Sequence, residues 1–265
     1  MIIGIDHVLV AVDDLERERV WAHACSSPDS VGRRAAEGDR SGMIHALIFD
    51  FDGLILDTEL PEFQAWQEVY RKYGGDLPLS TWAVCIGTSA DVFDPYDELE
   101  AQLGRPVDRD TIRSKFRQRH AELVAAQSVL PGVTDYIADA KRLGLKLGLA
   151  SSSTRAWVTG YLSRLGLSAG FDCIRCADDV ERVKPDPELY HAVLSGLDLR
   201  ADQAIALEDS PNGILAAKRA GIFCVAVPNA LTRQLSLDQA DLQLTSLAER
   251  PLEKLLLEVM DRWGR

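Results

Sequence analysis

Ile44-His45-Ala46-Leu47-Ile48-Phe49-Asp50-Phe51-Asp52-Gly53 carries a mostly apolar run straight into two aspartates and a glycine. A run of that length, short and nearly continuous, is expected of a strand buried on both faces of a parallel sheet. Residues 145–150, 204–207 and 223–227 repeat the pattern. The stretches between them read as helices with marked ends. Thr154 can cap a helix running toward Leu165, with Gly166 just past it. Ser210 can cap another, with Pro211 at its first position and Gly221 at its stop. Strands alternating with helices predict an α/β fold around a parallel sheet with helices on both faces.

The alternation is interrupted once. Residues 61–128 are nearly all helix-compatible, with apolar spacing at Phe63, Trp66, Val69 and Tyr70, and read as a helical insertion after the first strand. Pro131-Gly132 marks the return to the core, followed by a helix over residues 133–143. Residues 241–245 read as a last edge strand and residues 252–260 as an amphipathic terminal helix. The chain is thus expected to divide into an extension (1–42), a discontinuous core (43–59 and 130–265) and an all-helical cap (60–129).

Within the extension, residues 5–15 resemble the opening strand of the glyoxalase-like family, with His7 at the place of a metal ligand. The 42 positions before Met43 are too few for the strands such a fold needs, so this stretch is expected to be a remnant, an appended tail or the result of a wrong start codon, with Met43 as the alternative initiator. The 265 residues carry 29 basic and 41 acidic side chains, a formal charge of −12. That charge works against general affinity for nucleic acid or anionic membranes. The apolar runs fall far short of the roughly 20 residues that span a bilayer. With no basic flank at the amino terminus and only five thinly spread cysteines, a cytoplasmic protein without a disulfide framework is expected. Cys173 and Cys176 form a C-x-x-C with no partner pair at zinc spacing.

Open parallel sheets bind ligands beyond the carboxyl ends of their strands, so the residues there matter most. Asp50 and Asp52 emerge from the first, and residues two apart in extended chain project to one side. Two such anions repel, and a divalent cation would relieve them. Asp and Gly are also common in strand-end turns, so this segment alone leaves a structural reading open. Residues 145–150 run into Ser151-Ser152-Ser153-Thr154, hydroxyls and amides ahead of a helix that can cradle an oxyanion. Lys184 follows in Val183-Lys184-Pro185-Asp186-Pro187, where a loop returns to the sheet. Glu208-Asp209 closes the strand at 204–207.

This ordered set resembles the haloacid dehalogenase superfamily, in its β-phosphoglucomutase-like branch with a helical cap, over residues 43–230. Asp50-Phe51-Asp52-Gly53 with Asp57-Thr58-Glu59 matches the first motif, Ser151 the second, Lys184 the third and Glu208-Asp209 the fourth. The resemblance implies a Rossmann-like core and a phosphatase acting on a small phosphorylated metabolite such as a sugar phosphate. In it Asp50 is the nucleophile that forms an aspartyl-phosphate, and Asp52 the general acid and base. Mg²⁺ would be held by the Asp50 side chain, the Asp52 carbonyl and Asp209, with Glu208 acting through a bound water. Ser151 and the Ser152 amide would bind a phosphoryl oxygen while Lys184 balances its charge.

A sugar-phosphate mutase of the β-phosphoglucomutase type is the enzymatic rival. It would be expected to carry a cap His where Glu62 aligns and an Arg where Ala90 aligns within residues 87–91, and both are missing. The rival of another class is a non-catalytic binding or regulatory module. Thr58 and Glu59 read equally as a hinge or a simple helix start. Trp66 and Trp82 are expected in the core of the cap, and the charges from Arg113 through Lys115 to His120 on its solvated face. A monomer or weak dimer is expected, with no nucleic-acid or membrane partner.

Overall fold

The computed structural model describes residues 43–82 and 93–263. The extension with His7, and residues 87–91 with Ala90, lie outside them. The described chain runs β1 (Ala46–Phe49), α1 (Glu59–Tyr73), α2 (Leu79–Trp82), α3 (Pro95–Leu103), α4 (Arg109–Ala125), α5 (Val133–Arg142), β2 (Lys146–Ala150), α6 (Arg155–Arg164), β3 (Cys173–Arg175), α7 (Glu188–Leu197), β4 (Ala204–Glu208), α8 (Pro211–Arg219), β5 (Phe223–Ala226), β6 (Leu242–Gln243) and α9 (Leu252–Trp263). The six strands form one parallel sheet in the order β3-β2-β1-β4-β5-β6.

Alternation along the strands sorts side chains to the two faces. Leu47, Phe49, Leu147, Leu149, Ile205 and Leu207 enter a large cluster beneath α5, α6 and α9. Ala46, Ile48, Ala150, Ala204 and Ala206 enter the other, beneath α7 and α8. That second face is lined by small residues, so its helices lie close: a Cβ on Gly148 would stand 2.5 Å from Val193 Cγ1. Among the described residues, no helix is long and apolar enough to cross a membrane.

The predicted caps form. The Thr154 side chain accepts from Trp157 N, the Ser210 side chain accepts from Gly213 N, and Pro211 opens α8. Helices α1–α4 occupy the interrupted stretch and share their own apolar cluster, with Trp66, Tyr70, Trp82, Leu99 and Ile112 buried in it. The outgoing and returning strands of chain lie side by side, since Leu130 N donates to Ile55 O at 2.9 Å and Leu56 bridges Val129.

Register fixes where the chemistry can be. Phe49 pairs with Leu149 on one side and with Leu207 on the other. Asp50, Ser151 and the Glu208-Asp209 pair therefore leave the sheet at nearly one height. The strand order reverses at β1, which opens a crevice at that edge.

Candidate active site

Asp50 leaves β1 with its backbone still bonded to the sheet, its N–H donating to Leu207 O at 3.0 Å, and its side chain is buried. Lys184 arrives from the loop before α7, which is pinned by Arg219 donating to Pro185 O at 2.9 Å. The Lys184 ammonium, with its side chain only 5% exposed, donates to Asp50 Oδ1 and to Glu208 Oε1, the latter at 2.6 Å. Tyr190 of α7 donates its hydroxyl to the same Glu208 oxygen at 2.6 Å, and its ring lies 5.4 Å from the ammonium. Glu208 Oε2 is buried with no hydrogen-bond partner among the described residues. Oxygens of Asp50, Glu208 and Asp209 all lie within 4.8 Å of one another.

Three buried carboxylates around one ammonium leave an excess of negative charge. Burial pushes the Asp50 carboxyl well above its ordinary value, with Glu208 and Asp52 adding to the shift and Lys184 opposing it. Burial likewise pushes Asp209 well up, reinforced by Glu59, Asp50 and Glu208. Burial works against the Lys184 charge, yet Asp50 and Glu208 outweigh it and raise its pKa. The donor set and the orphaned Glu208 oxygen both suit a hard divalent cation carrying waters, which supplies positive charge and a donor to that oxygen.

Asp52 occupies a separate nest. Its Oδ1 accepts from Thr58 Oγ1 at 3.0 Å and from Trp157 Nε1 at 2.9 Å, and its Oδ2 from Ser153 Oγ at 2.6 Å and Ser151 Oγ at 3.3 Å. Ser151 Oγ also accepts from Ser153 N at 3.0 Å, and Ser152 is half-buried between them. The Thr58 hydroxyl thus serves Asp52, and makes no side-chain cap on α1.

The chain matches the family of haloacid dehalogenase-like hydrolases over residues 47–227. The chain belongs to that family. YhcW of Bacillus subtilis, named as a phosphatase, is 48% identical over 214 residues, 81% of this chain and 97% of the relative. Validoxylamine A 7'-phosphate phosphatase of Streptomyces hygroscopicus subsp. limoneus is 33% identical over 224 residues, 78% of this chain and 96% of that protein. Among solved structures, β-phosphoglucomutase from Clostridium difficile matches with a TM-score of 0.66 at 27% identity, covering 84% of this chain and all of that one. The relatives of this haloacid dehalogenase-like hydrolase are thus named as phosphatases, and its core is similar to that of a β-phosphoglucomutase.

The hydrolase brings Asp50, Lys184, Glu208 and Asp209 into one cluster, with Ser151 joined to Asp52. Several partners were not visible in the sequence reading. Asn229, at the end of β5, donates to Asp209 Oδ2 and to Glu59 Oε2, both at 2.8 Å, and is itself held by Leu231 N and Thr232 N on its Oδ1. Burial pushes the Glu59 carboxyl up to about 8, against the Asn229 bond. The end of the strand read at residues 223–227, on the same edge, was the signal that could have found Asn229. His120 corrects an expectation: Arg113 and Lys115 are exposed, but His120 is buried, with Nε2 3.4 Å from Thr58 O. Trp66 and Trp82 sit in the helical core as expected.

Gly53 shows how tightly the site is built. Its φ is +84°, and a Cβ there would lie 2.2 Å from Asp209 Oδ2 and 2.7 Å from Asn229 Nδ2. Gly53→Ala is expected to lower stability by about 2 kcal/mol or more, since backbone strain alone costs roughly 1–2 kcal/mol. It should also weaken divalent-ion binding by displacing Asp209. Urea unfolding and ion titration check both, and an alanine variant with unchanged stability and ion affinity would contradict this packing.

Proposed function

We propose that the chain is a Mg²⁺-dependent phosphatase of small phosphorylated metabolites, sugar phosphates among them, working through an aspartyl-phosphate on Asp50. The observation that carries this reading is the close set of Asp50, Glu208 and Asp209 carboxylates with Lys184 bonded to Asp50. Asp50 attacks phosphorus in line. Lys184 offsets charge on the phosphoryl oxygens, and Ser151 with the Ser152 amide holds one of them. Asp52 gives a proton to the leaving oxygen and later takes one from the attacking water. The Asp50 side chain, the Asp52 carbonyl and Asp209 would hold Mg²⁺, with Glu208 reaching it through water; the ion neutralises the carboxylates and the phosphoryl group. We read helices α1–α4 as the cap that shapes the substrate end of the pocket.

Hydrolysis is favoured over phosphoryl transfer between sugar positions by what stands in α1. Glu62 lies in its first turn, where the mutases of this branch would be expected to carry a histidine, and burial with the Asp52 charge pushes its carboxyl up to about 7.

Phosphate release from a panel of sugar phosphates, nucleotides and phosphoglycolate tests the reading. Release is expected with Mg²⁺ and not with chelator. Mg²⁺ at about a hundred times its Kd should stabilise the fold by about 2.7 kcal/mol, a gain that Asp209→Asn removes. Equal rates with and without chelator would exclude the Mg²⁺ role, and isomer conversion without free phosphate would favour the mutase.

A further inference from the structure

Trp157 stands on the core helix α6 with its ring buried, and its Nε1–H points at the Asp52 carboxylate. The His120 ring from α4 stacks on it at 5.8 Å between centroids and 19° between planes. His120 stacks in turn on Phe116 (5.6 Å, 14°), and Phe116 on Trp66 of α1 (4.5 Å, 28°). The same ridge of α6 continues along α4. Tyr161 meets Trp157 edge-on at 4.6 Å, and the Arg164 guanidinium lies 5.1 Å from the Tyr161 ring centre. Arg164 also donates to the carbonyls of Val124, Ala125 and Gln127 at the end of α4, at 3.3, 2.6 and 3.1 Å. The indole is thus the point where the α4–α6 contact meets Asp52.

We propose that Trp157 is a positioning residue for phosphoryl transfer, its indole N–H fixing the Asp52 carboxyl so that the proton it delivers is carried on Oδ2. The chemistry of the four donors decides which oxygen. Serine and threonine hydroxyls can turn and accept, but an indole N–H only donates. Oδ1, facing Trp157, is therefore held as an acceptor. Oδ2, facing Ser151 and Ser153, can carry hydrogen, because those hydroxyls can rotate to accommodate it. As the Asp50 oxygen bonds to phosphorus, the ester P–O bond breaks with its electron pair left on the leaving oxygen, and the Oδ2 proton moves to that oxygen. His120 keeps the indole plane in place from the α4 side.

The inference rests on Asp52 being the general acid, and the test separates the two claims. kcat/KM is measured with Mg²⁺ on a sugar phosphate that the wild-type enzyme hydrolyses and on 4-nitrophenyl phosphate. The alcohol of the first needs a proton to leave, whereas nitrophenolate does not. Asp52→Asn should lose far more rate on the sugar phosphate than on the aryl ester. Trp157→Phe, which keeps a ring for His120 to stack on, should show the same bias, with about tenfold or more lost on the sugar phosphate and under about threefold on the aryl ester. Should the phenylalanine variant not fold, benzothienylalanine at position 157, with sulfur in place of the N–H and the same shape, carries the comparison. A biased Asp52→Asn beside an unbiased position-157 variant would overturn the role of Trp157, as would equal losses on both esters. An unbiased Asp52→Asn would overturn the general-acid reading, and this inference with it.

Discussion

Asp50→Asn should give a folded protein that releases no phosphate. The amide keeps the shape of the side chain but is a far poorer nucleophile than a carboxylate, so turnover should fall by ~10³-fold or more. The fold should not suffer. Burial holds the Asp50 carboxyl well above its ordinary value, so the unfolded chain ionises first as pH rises and the folded form becomes relatively less stable over that window. An uncharged amide removes this penalty, while Lys184 keeps its bond to Glu208 at 2.6 Å. The melting temperature of metal-free Asp50→Asn is therefore expected to match or exceed wild type at neutral pH. Full activity in this variant would end the assignment of the nucleophile, and a large drop in melting temperature would show that the charge was structural.

Removing the cation instead should damage both properties. Lys184→Met deletes the ammonium that contacts both Asp50 and Glu208 in a site almost closed to solvent. Breaking a buried ion pair from one side typically costs about 3–5 kcal/mol, because the abandoned charge stays desolvated. The loss, followed by urea unfolding in chelator, should shrink as the pH is lowered, because burial holds the Asp50 carboxyl well above its ordinary value and the abandoned group can then take up a proton. Turnover should fall by about 10²–10³-fold even with Mg²⁺, through the lost charge balance at the phosphoryl group. A variant as stable as wild type at neutral pH would mean that the ammonium is not the partner that holds the two carboxylates.

The sheet was legible in the sequence because β1, β2, β4 and β5 are buried on both faces and so written in nearly unbroken apolar runs. Once their order places β1 between β2 and β4, Asp50, Ser151 and Glu208-Asp209 must share an edge, since parallel register leaves no other height for them. Lys184 was legible by its place in a loop returning to the sheet. The residues that hold these groups were not. Trp157 has the spacing of an ordinary core residue on α6, and nothing local reveals that its one polar atom meets Asp52. His120 closes a run of charges on α4 whose Arg113 and Lys115 are exposed, yet it is itself buried, its ring stacked on Trp157 of α6. Asn229 acts at a distance of 20 residues from Asp209 and 170 from Glu59, separations that pattern reading does not bridge. Tyr190 reads as one of the apolar positions of α7, yet its hydroxyl serves Glu208.

Mass spectrometry of enzyme rapidly quenched in acid during turnover tests the covalent step most directly. The peptide containing Asp50 is expected to carry the added mass of one phosphoryl group, absent from Asp50→Asn and removed by hydroxylamine. Turnover at the full rate with no such adduct, or an adduct on any other residue, would contradict it.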